Sequence, residues 1–228
     1  MRTILLAAGL GTRLRPLTDN TPKCLLPVNG KPLLQIWLER LSQSNYGPFL
    51  VNTHYLSDQV EQFALQSEFK DRITISHEPT LLGTAATLIH SVDFFEGEDG
   101  LLLHADNYCT ADLAQFSAAH KCRPTGCEIT MMIFRSDNPS ACGIVELDER
   151  GVVTSFHEKV PDPPGNLANG AIYILSRAAL VEIAEGLAEA RDFSTEILPR
   201  FIGRIYAFHA QGIFIDIGTP KSYSLANS

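Results

Sequence analysis

The sequence predicts an α/β protein with a doubly wound, mostly parallel sheet and a β-rich lobe in the C-terminal half. Two observations support this fold class. In residues 1–125, short apolar runs alternate with amphipathic stretches, and alternation of strands with helices is typical of parallel sheets. In residues 126–228, strand-like segments follow one another more directly, and residues 148–151 form a hairpin-turn sequence between two of them. We therefore expect one domain over residues 1–228 with two halves of different character.

The first half contains four apolar runs of strand length. We predict a buried strand at Thr3–Ala8 and further strands at Phe49–Thr53, Ile73–Ser76 and Gly100–His104. Pro32 suits the first turn of a helix, and the apolar side chains after it share one helical face: Leu33, Leu34, Trp37, Leu38 and Leu41. Two further helices are predicted at Asp58–Phe69 and Thr84–Val92. Ligands of such sheets bind beyond the carboxyl ends of the strands.

The second half is predicted to be richer in strands. The strand predictions are Cys127–Phe134, Gly143–Leu147, Val152–Glu158, Ala171–Leu175 and Gly212–Asp216. Residues 161–166 are rich in proline and predict a loop. Helices are expected at Ala178–Ala190 and Ser194–Phe201, and Thr219-Pro220 is a plausible N-cap and first residue of a final helix.

Composition narrows the class of protein. Of the 228 residues, 45% are hydrophobic and 19% are charged, with a formal net charge of −8. Nucleic acids and anionic membranes are bound through basic surfaces, so an acidic chain argues against both partners. The five cysteines form no C-x-x-C pair, and the N-terminal apolar run is too short for a signal peptide or a membrane span. We expect reduced thiols and a cytoplasmic location.

The most informative motif follows the first predicted strand. Gly9 and Gly11 lie in a turn, Arg13 follows them, and Lys23 comes ten residues after Arg13. Glycines allow backbone N–H groups to close on a phosphate. An arginine and a lysine can neutralise a polyphosphate, one as a fork of donors and the other as a point charge. The motif therefore indicates binding of a nucleoside triphosphate, and a solvated glycine-rich surface turn is the alternative.

Two better-known phosphate motifs do not fit this turn. A dinucleotide-binding loop needs a third glycine leading into a helix, but Leu14 occupies that position and Pro16 would interrupt the helix. The second predicted strand ends near Asn52 and His54, with no acid to bind a ribose. A P-loop needs Gly-Lys-Ser or Gly-Lys-Thr, and neither tripeptide occurs in the chain.

The motif Leu6–Arg13 with Pro22-Lys23 resembles the signature of the sugar-1-phosphate nucleotidyltransferases. Other segments resemble that family in the same order along nearly the whole chain: Glu78-Pro79, Leu82–Ala85, His104–Asn107, Cys142–Val145, Glu158-Lys159, Asn169–Tyr173 and Phe214–Gly218. The resemblance implies a Rossmann-like nucleotidyltransferase fold. It also implies a nucleotide-binding half at 1–125 and a sugar-binding half at 126–228, the latter with the second metal aspartate. The family often forms dimers or tetramers, so a homo-oligomer is possible.

The resemblance also implies roles for individual residues. Arg13 and Lys23 would be catalytic, and Asp106 and Asp216 would bind Mg²⁺. The nucleotide would contact Leu6, Ala8, Gly9, Gly11, Thr12, Arg13, Lys23, Leu82, Gly83 and Thr84. The sugar 1-phosphate would contact Asn107, Gly143, Glu158, Lys159 and Asn169. Two of these assignments have a plainer alternative: the aspartates as helix caps, and Glu158-Lys159 as a surface ion pair. Neighbouring strand residues point to opposite faces, so that pair needs a bend to act together.

Among subfamilies, the sequence is most similar to mannose-1-phosphate guanylyltransferases. Heptose-1-phosphate guanylyltransferases are close, and thymidylyl- and uridylyltransferases share the catalytic core. Two further alternatives stay open: a nucleotide-sugar sensor on the same fold, and a phosphocholine-type cytidylyltransferase. The sensor would not need the two cations and the two aspartates, and the cytidylyltransferase would not need the sugar-side segments.

Overall fold

The computed structural model describes all 228 residues and contains thirteen strands and six α-helices. The strands are β1 Thr3–Leu6, β2 Pro27–Val28, β3 Lys31–Pro32, β4 Phe49–Thr53, β5 Ile73–His77, β6 Gly100–His104, β7 Asn107–Cys109, β8 Ile129–Arg135, β9 Gly143–Leu147, β10 Val153–Glu158, β11 Leu167–Leu175, β12 Ile205–His209 and β13 Phe214–Asp216. The helices are α1 Leu33–Gln43, α2 Ser57–Gln66, α3 Thr84–His90, α4 Leu113–Lys121, α5 Arg177–Gly186 and α6 Pro220–Ala226. The predicted α/β fold class is confirmed.

The chain divides into two compact units. Unit 1 consists of Met1–Leu81, Leu103–Thr110 and Gly212–Ser228. Unit 2 consists of Leu82–Leu102 and Ala111–Gln211. Because the chain returns to unit 1 after unit 2, the segment with Asp216 belongs to the same unit as the N-terminal glycine turn.

Unit 1 is built on parallel strands. β1 pairs with β4 in the register Thr3↔Phe49 to Leu6↔Asn52, and β4 pairs with β5. All residues of β1 and β4 are buried, as expected for central parallel strands. The amphipathic face of α1 is buried as predicted, and the Trp37 indole N–H donates to the carbonyl of Asn107 at 2.8 Å. β7 and β13 form a separate two-stranded antiparallel sheet in the same unit.

Unit 2 contains mixed and mainly antiparallel pairings. β10 pairs with β9, β9 with β11, and β11 with β8, all antiparallel, whereas β12 pairs with β8 in parallel. β11 carries an irregularity between Asn169 and Tyr173. The core here includes the rings of Tyr173 and Phe193, whose centroids lie 4.7 Å apart.

Several predicted boundaries need correction. The first strand ends at Leu6 rather than Ala8, because the chain turns away from the sheet there. The helix predicted to reach Ala190 ends at Gly186, a residue that weakens a helix interior. The segment predicted as a helix at 194–201 is a π-turn followed by a 3₁₀ turn, since Pro199 lacks the N–H that a continuous α-helix needs. The strand β12 and the helix α4 were not predicted.

No helix in this fold combines the length and the apolar character that crossing a membrane requires.

Candidate functional site

The glycine turn of unit 1 begins where β1 ends. Gly11 has φ +63°, a conformation that glycine adopts without strain. A β-carbon at Gly11 would lie 2.9 Å from Cγ2 of the buried Thr18, so the position also lacks space for a side chain. The Thr18 hydroxyl donates to the Gly11 carbonyl at 2.8 Å. The turn is therefore fixed in shape, while Gly9, Thr12 and Arg13 remain exposed.

Lys23 and the two candidate metal ligands meet at one point in unit 1. The Lys23 Nζ atom lies 2.5 Å from Asp106 Oδ2 and 3.9 Å from Asp216 Oδ1. Lys23 is only 7% exposed, and a buried ammonium needs such partners. Residues 23, 106 and 216 are far apart in sequence, so the fold brings together three groups that the sequence predicted as one site.

Backbone pairing positions the two aspartates. Asp106 lies between β6 and β7, and Asp216 is the last residue of β13. In the antiparallel β7–β13 pair, Asp216 lies opposite Asn107, and the Ile217 N–H donates to the Asp106 carbonyl at 3.3 Å. The next helix is capped by Thr219, not by Asp216. The capping role considered for Asp216 therefore falls to another residue.

The two carboxyl groups have opposite electrostatic environments. Burial pushes the pKa of Asp106 upward, but Lys23, with His104, outweighs it and leaves the pKa below its ordinary value. For Asp216, desolvation and the neighbouring Asp106 carboxylate raise the pKa above its ordinary value, despite Lys23 and Arg13. A further cation bound to these two carboxylates would reduce the repulsion that Lys23 and Arg13 do not fully offset at Asp216.

The carboxylates of Asp106 and Asp216 fit a hard divalent cation that takes its remaining ligands from water and substrate. Carboxylate oxygens are the protein ligands that Mg²⁺ prefers, and Mg²⁺ usually retains waters and binds substrate phosphates through its other positions. No group of three or more His, Cys, Asp or Glu side chains is arranged to hold a metal ion. Asp106 and Asp216 can therefore supply two ligands and not a complete cage.

Arg13 approaches the same strand end over a glycine. A β-carbon at Gly218 would lie 3.1 Å from Arg13 Nη2 and 3.3 Å from Asp216 Oδ2. Gly218 thus provides the space in which the guanidinium lies beside the Asp216 carboxylate. Arg13, Lys23, Asp106 and Asp216 all belong to unit 1.

The predicted sugar-side residues of unit 2 include a close group at β9 and β10. Gly143 pairs with Glu158, and a β-carbon at Gly143 would lie 2.5 Å from Glu158 Oε2. Lys159 has φ +48°, and its Nζ atom lies 2.9 Å from Glu158 Oε1. The backbone bend that Glu158 and Lys159 need to act together is therefore present, and their two side chains meet in an ion pair.

Asn169 is also held firmly within unit 2. Its Nδ2 donates to the Tyr173 hydroxyl at 2.7 Å, and its Oδ1 accepts from the Ala171 N–H at 2.9 Å. Ala171 has φ +51°, which belongs to the irregularity in β11. Burial raises the pKa of Tyr173, so this phenol stays neutral.

The predicted base-side loop of unit 2 rests on residues 191–193. Gly83 has φ +99°, and a β-carbon there would lie 2.5 Å from the Arg191 carbonyl oxygen. The Ala85 N–H donates to that same oxygen at 2.9 Å. The Thr84 hydroxyl accepts from the Phe193 N–H at 2.8 Å. Leu82, Gly83 and Thr84 are all partly exposed.

The remaining predicted residues differ in accessibility. Leu6 and Ala8 are buried, and their contacts with a nucleotide stay a prediction. Asn107 is 4% exposed and lies beside Asp106 in unit 1. Its contact with a sugar phosphate stays a prediction, as do the ligand contacts of every other residue above.

Three residues that lie in the predicted segments have supporting roles that were not predicted from the sequence. Asn52 and Glu78 form a buried pair beneath the glycine turn, and Gly218 makes room for Arg13. Polar residues at the ends of apolar strands were a usable signal for the first two, and the glycine after Asp216 was a signal for the third.

Comparison with known proteins gives one consistent result. A family model described as nucleotidyl transferase matches residues 2–228. Mannose-1-phosphate guanyltransferase beta-A of Xenopus laevis is 32% identical over 233 residues, covering 98% of this chain and 62% of that protein. Mannose-1-phosphate guanylyltransferase of Mycobacterium tuberculosis is 30% identical over 227 residues, covering 96% of this chain and 62% of that protein. The chain thus spans about three fifths of the length of these curated relatives.

A solved structure shares the fold throughout. HddC from Yersinia pseudotuberculosis, complexed with GMP-PN, superposes with a TM-score of 0.82 at 25% identity. The match covers 99% of this chain and 97% of that one.

Proposed function

The chain belongs to the nucleotidyl transferase family, and we propose that it transfers the nucleotidyl group of an NTP to a sugar 1-phosphate. The products would be a nucleotide sugar and pyrophosphate. The observation that carries the reaction class is the buried Lys23 ammonium between Asp106 and Asp216, beside the glycine turn. GTP and mannose 1-phosphate are the favoured substrates, because the curated relatives carry that activity in their names.

The proposed reaction needs charge neutralisation rather than a general base. The second pKa of a phosphate monoester is near ~6, so the attacking oxygen is already anionic at neutral pH. That oxygen forms a bond to the α-phosphorus while the bond from the α-phosphorus to the bridging oxygen breaks and pyrophosphate leaves. The main obstacles are the alignment of two polyanions and the charge on the transferred group.

The residues of unit 1 match these requirements. Backbone N–H groups of the Gly9–Thr12 turn would bind the nucleotide, and Arg13 would bind the β- and γ-phosphates and the departing pyrophosphate. Lys23 would lie at the α-phosphate and stabilise the in-line transition state. Burial favours this role, since a charge held in a water-poor site acts more strongly than one in solvent.

Asp106 and Asp216 would hold Mg²⁺. When bound, the ion supplies positive charge to the phosphate oxygens. The Lys23 ammonium already contacts both of these carboxylates. It would therefore lie close to the phosphate group that the ion binds.

The residues of unit 2 are proposed to bind the sugar 1-phosphate. Glu158 would accept hydrogen bonds from sugar hydroxyls and Lys159 would pair with the phosphate. Asn169 and Gly143 would contact the ring and phosphate, and Leu82, Gly83 and Thr84 would contact the base. Because NTPs and reduced thiols are typical of the cytosol, we also propose a cytoplasmic location.

Other substrate pairs are rivals within the same reaction class. A heptose 1-phosphate with GTP, or an amino-sugar or glucose 1-phosphate with dTTP or UTP, would use the same unit 1 residues. A nucleotide-sugar sensor would bind the product without catalysis.

A substrate matrix tests the proposal. Four NTPs are combined with mannose, heptose, glucose and N-acetylglucosamine 1-phosphates, and pyrophosphate release is followed with Mg²⁺ and with EDTA. We expect release with GTP and mannose 1-phosphate that EDTA abolishes. Turnover of a different pair would correct the substrates, and no release with any pair would favour the sensor.

A further inference from the structure

A buried amide links the start of the glycine turn to an acid beyond the neighbouring strand. Asn52, near the end of β4, accepts the Ala7 N–H on Oδ1 at 2.7 Å and donates from Nδ2 to Glu78 Oε1 at 2.8 Å. Asn52 and Glu78 are each 3% exposed, and Ala7 is 8% exposed. All three residues lie in unit 1.

The contact with Ala7 occurs where the parallel pairing stops. Leu6 is the last residue of β1 and pairs with Asn52. Beyond it the chain must leave the sheet to form the turn, and the Ala7 N–H loses its place in the ladder. A buried amide without a partner is costly, and the Asn52 side chain provides the replacement. The direction in which the turn departs is therefore set by a side chain on the adjacent strand.

The acid at the other end is itself held by the backbone. The Glu78 N–H donates to the Thr53 carbonyl at 2.8 Å, and the Glu78 carbonyl accepts from His54 Nδ1 at 2.7 Å. Glu78 follows β5 directly, so its main chain is fixed against the end of β4. Its carboxylate orients the Asn52 amide, with the oxygen toward Ala7 and the nitrogen toward Glu78.

We propose that Asn52 is a positioning residue for nucleotide binding: its side chain, oriented by Glu78, fixes where the glycine turn begins. This rests on the proposed function, in which that turn binds the triphosphate. The essential feature is the direction of the hydrogen bond, in which the Asn52 amide donates and the Glu78 carboxylate accepts. An aspartate at position 52 could still accept from Ala7, but it could donate to Glu78 only after taking up a proton, and two charged carboxylates at this distance repel each other.

An exchange of the amide and the acid tests the direction of this hydrogen bond. The variants are Asn52→Asp, Glu78→Gln, and both together. In the double variant, the amide introduced at position 78 can donate to the carboxylate introduced at position 52, and that carboxylate still accepts from Ala7. The network is then restored with the amide and the acid interchanged. Gln35→Glu is the matched control, because Gln35 also donates an amide N–H to a carboxylate, Glu39 Oε1 at 2.9 Å, but on helix α1 away from the turn.

Two readouts separate positioning from folding. Steady-state kinetics give KM for GTP and kcat, and NMR hydrogen exchange gives the protection of the Ala7 amide in the enzyme without nucleotide. Displacement of a binding element can cost on the order of 10²-fold in kcat/KM, and we expect Asn52→Asp to lose that much with faster Ala7 exchange. The kcat/KM of the double variant should recover to within about fivefold of the kcat/KM of Glu78→Gln, because the effects of substitutions at two residues in contact depend on each other. The control should match the wild type.

Two results would overturn the proposal. One is an Asn52→Asp variant with wild-type kinetics and Ala7 protection. The other is a double variant that regains thermal stability but neither KM nor Ala7 protection, which would make the pair merely structural. If the wild type turns over no substrate pair, the proposed function fails, yet Ala7 exchange and GTP affinity by equilibrium dialysis still decide the role of Asn52.

Discussion

Replacing Lys23 with methionine tests the site at its most buried charge. Methionine keeps much of the length and apolar character of the lysine stem and removes only the ammonium. That ammonium lies 2.5 Å from Asp106 Oδ2 and 3.9 Å from Asp216 Oδ1, with 7% of the residue exposed. Removal of one charge aimed at the transition state typically costs about 10²–10³ in kcat, or about 3–4 kcal/mol.

The same change should affect stability less than activity. Without Lys23, the pKa of Asp106 loses the interaction that outweighs burial, so that carboxyl group can take up a proton instead of remaining charged. We therefore expect a loss of roughly 2 kcal/mol in the free energy of unfolding, the scale of a lost hydrogen bond to a charged group. A broken buried ion pair that stays charged would cost more, about 3–5 kcal/mol.

Lys31→Met is the control for this experiment. Lys31 Nζ lies 2.7 Å from Glu39 Oε2, a distance close to that of the Lys23 pair, but the Lys31 side chain is 49% exposed. Exposed pairs contribute little, so this variant should keep wild-type turnover. Pyrophosphate release and urea unfolding are measured on both variants. A folded Lys23→Met enzyme with kcat within about threefold of the wild type would refute the reasoning, since the loss of a transition-state charge has a much larger effect.

Two further predictions address unit 2. Gly143→Ala places a β-carbon 2.5 Å from Glu158 Oε2 and 2.6 Å from Phe156 Cζ. Displacement of these side chains should raise KM for the sugar 1-phosphate about tenfold and leave KM for GTP unchanged; an equal rise in both would contradict the proposed sugar-binding role of Gly143 and Glu158. His120 is 1% exposed, and burial, then Arg123, lowers its pKa from 6.5 to about 4 against the pull of Asp99. Between those values the unfolded chain binds the extra proton, so stability falls as the pH drops from 6.5 to 4, by about 3 kcal/mol at pH 4. Urea unfolding of the wild type and His120→Gln at pH 7 and pH 4 checks this, and an equal loss in both proteins would exclude His120 as the cause.

Local patterns predicted much of the fold. The strands at 49–53, 100–104 and 143–147 match the structure residue for residue, because each contains a short apolar run that is buried. Thr219 and Pro220 are the N-cap and first residue of α6, with a capping box. The helix α4 was missed although Asp112 caps it, since its sequence LAQFSAAHK has only a weak apolar face.

The arrangement of the site, in contrast, depends mainly on pairing between segments that are distant in sequence. The glycine-turn motif indicated Lys23, and the family resemblance implied Asp106 and Asp216. Only the pairing of β7 with β13 places both carboxylates around one ammonium. The strand β12 was missed for a related reason: it pairs in parallel with β8, more than seventy residues earlier, and such pairings leave no local signal. Asn52 was noticed as a strand-end residue, but its hydrogen bond to Ala7 depends on strand register.

The most direct measurement follows the fate of the phosphorus atoms. The enzyme is incubated with mannose 1-phosphate and GTP labelled either at the α-phosphorus or at the γ-phosphorus. We expect the α label to appear in the nucleotide sugar and the γ label only in pyrophosphate. A γ label on the sugar, or release of inorganic phosphate with the α label retained in GDP, would contradict nucleotidyl transfer.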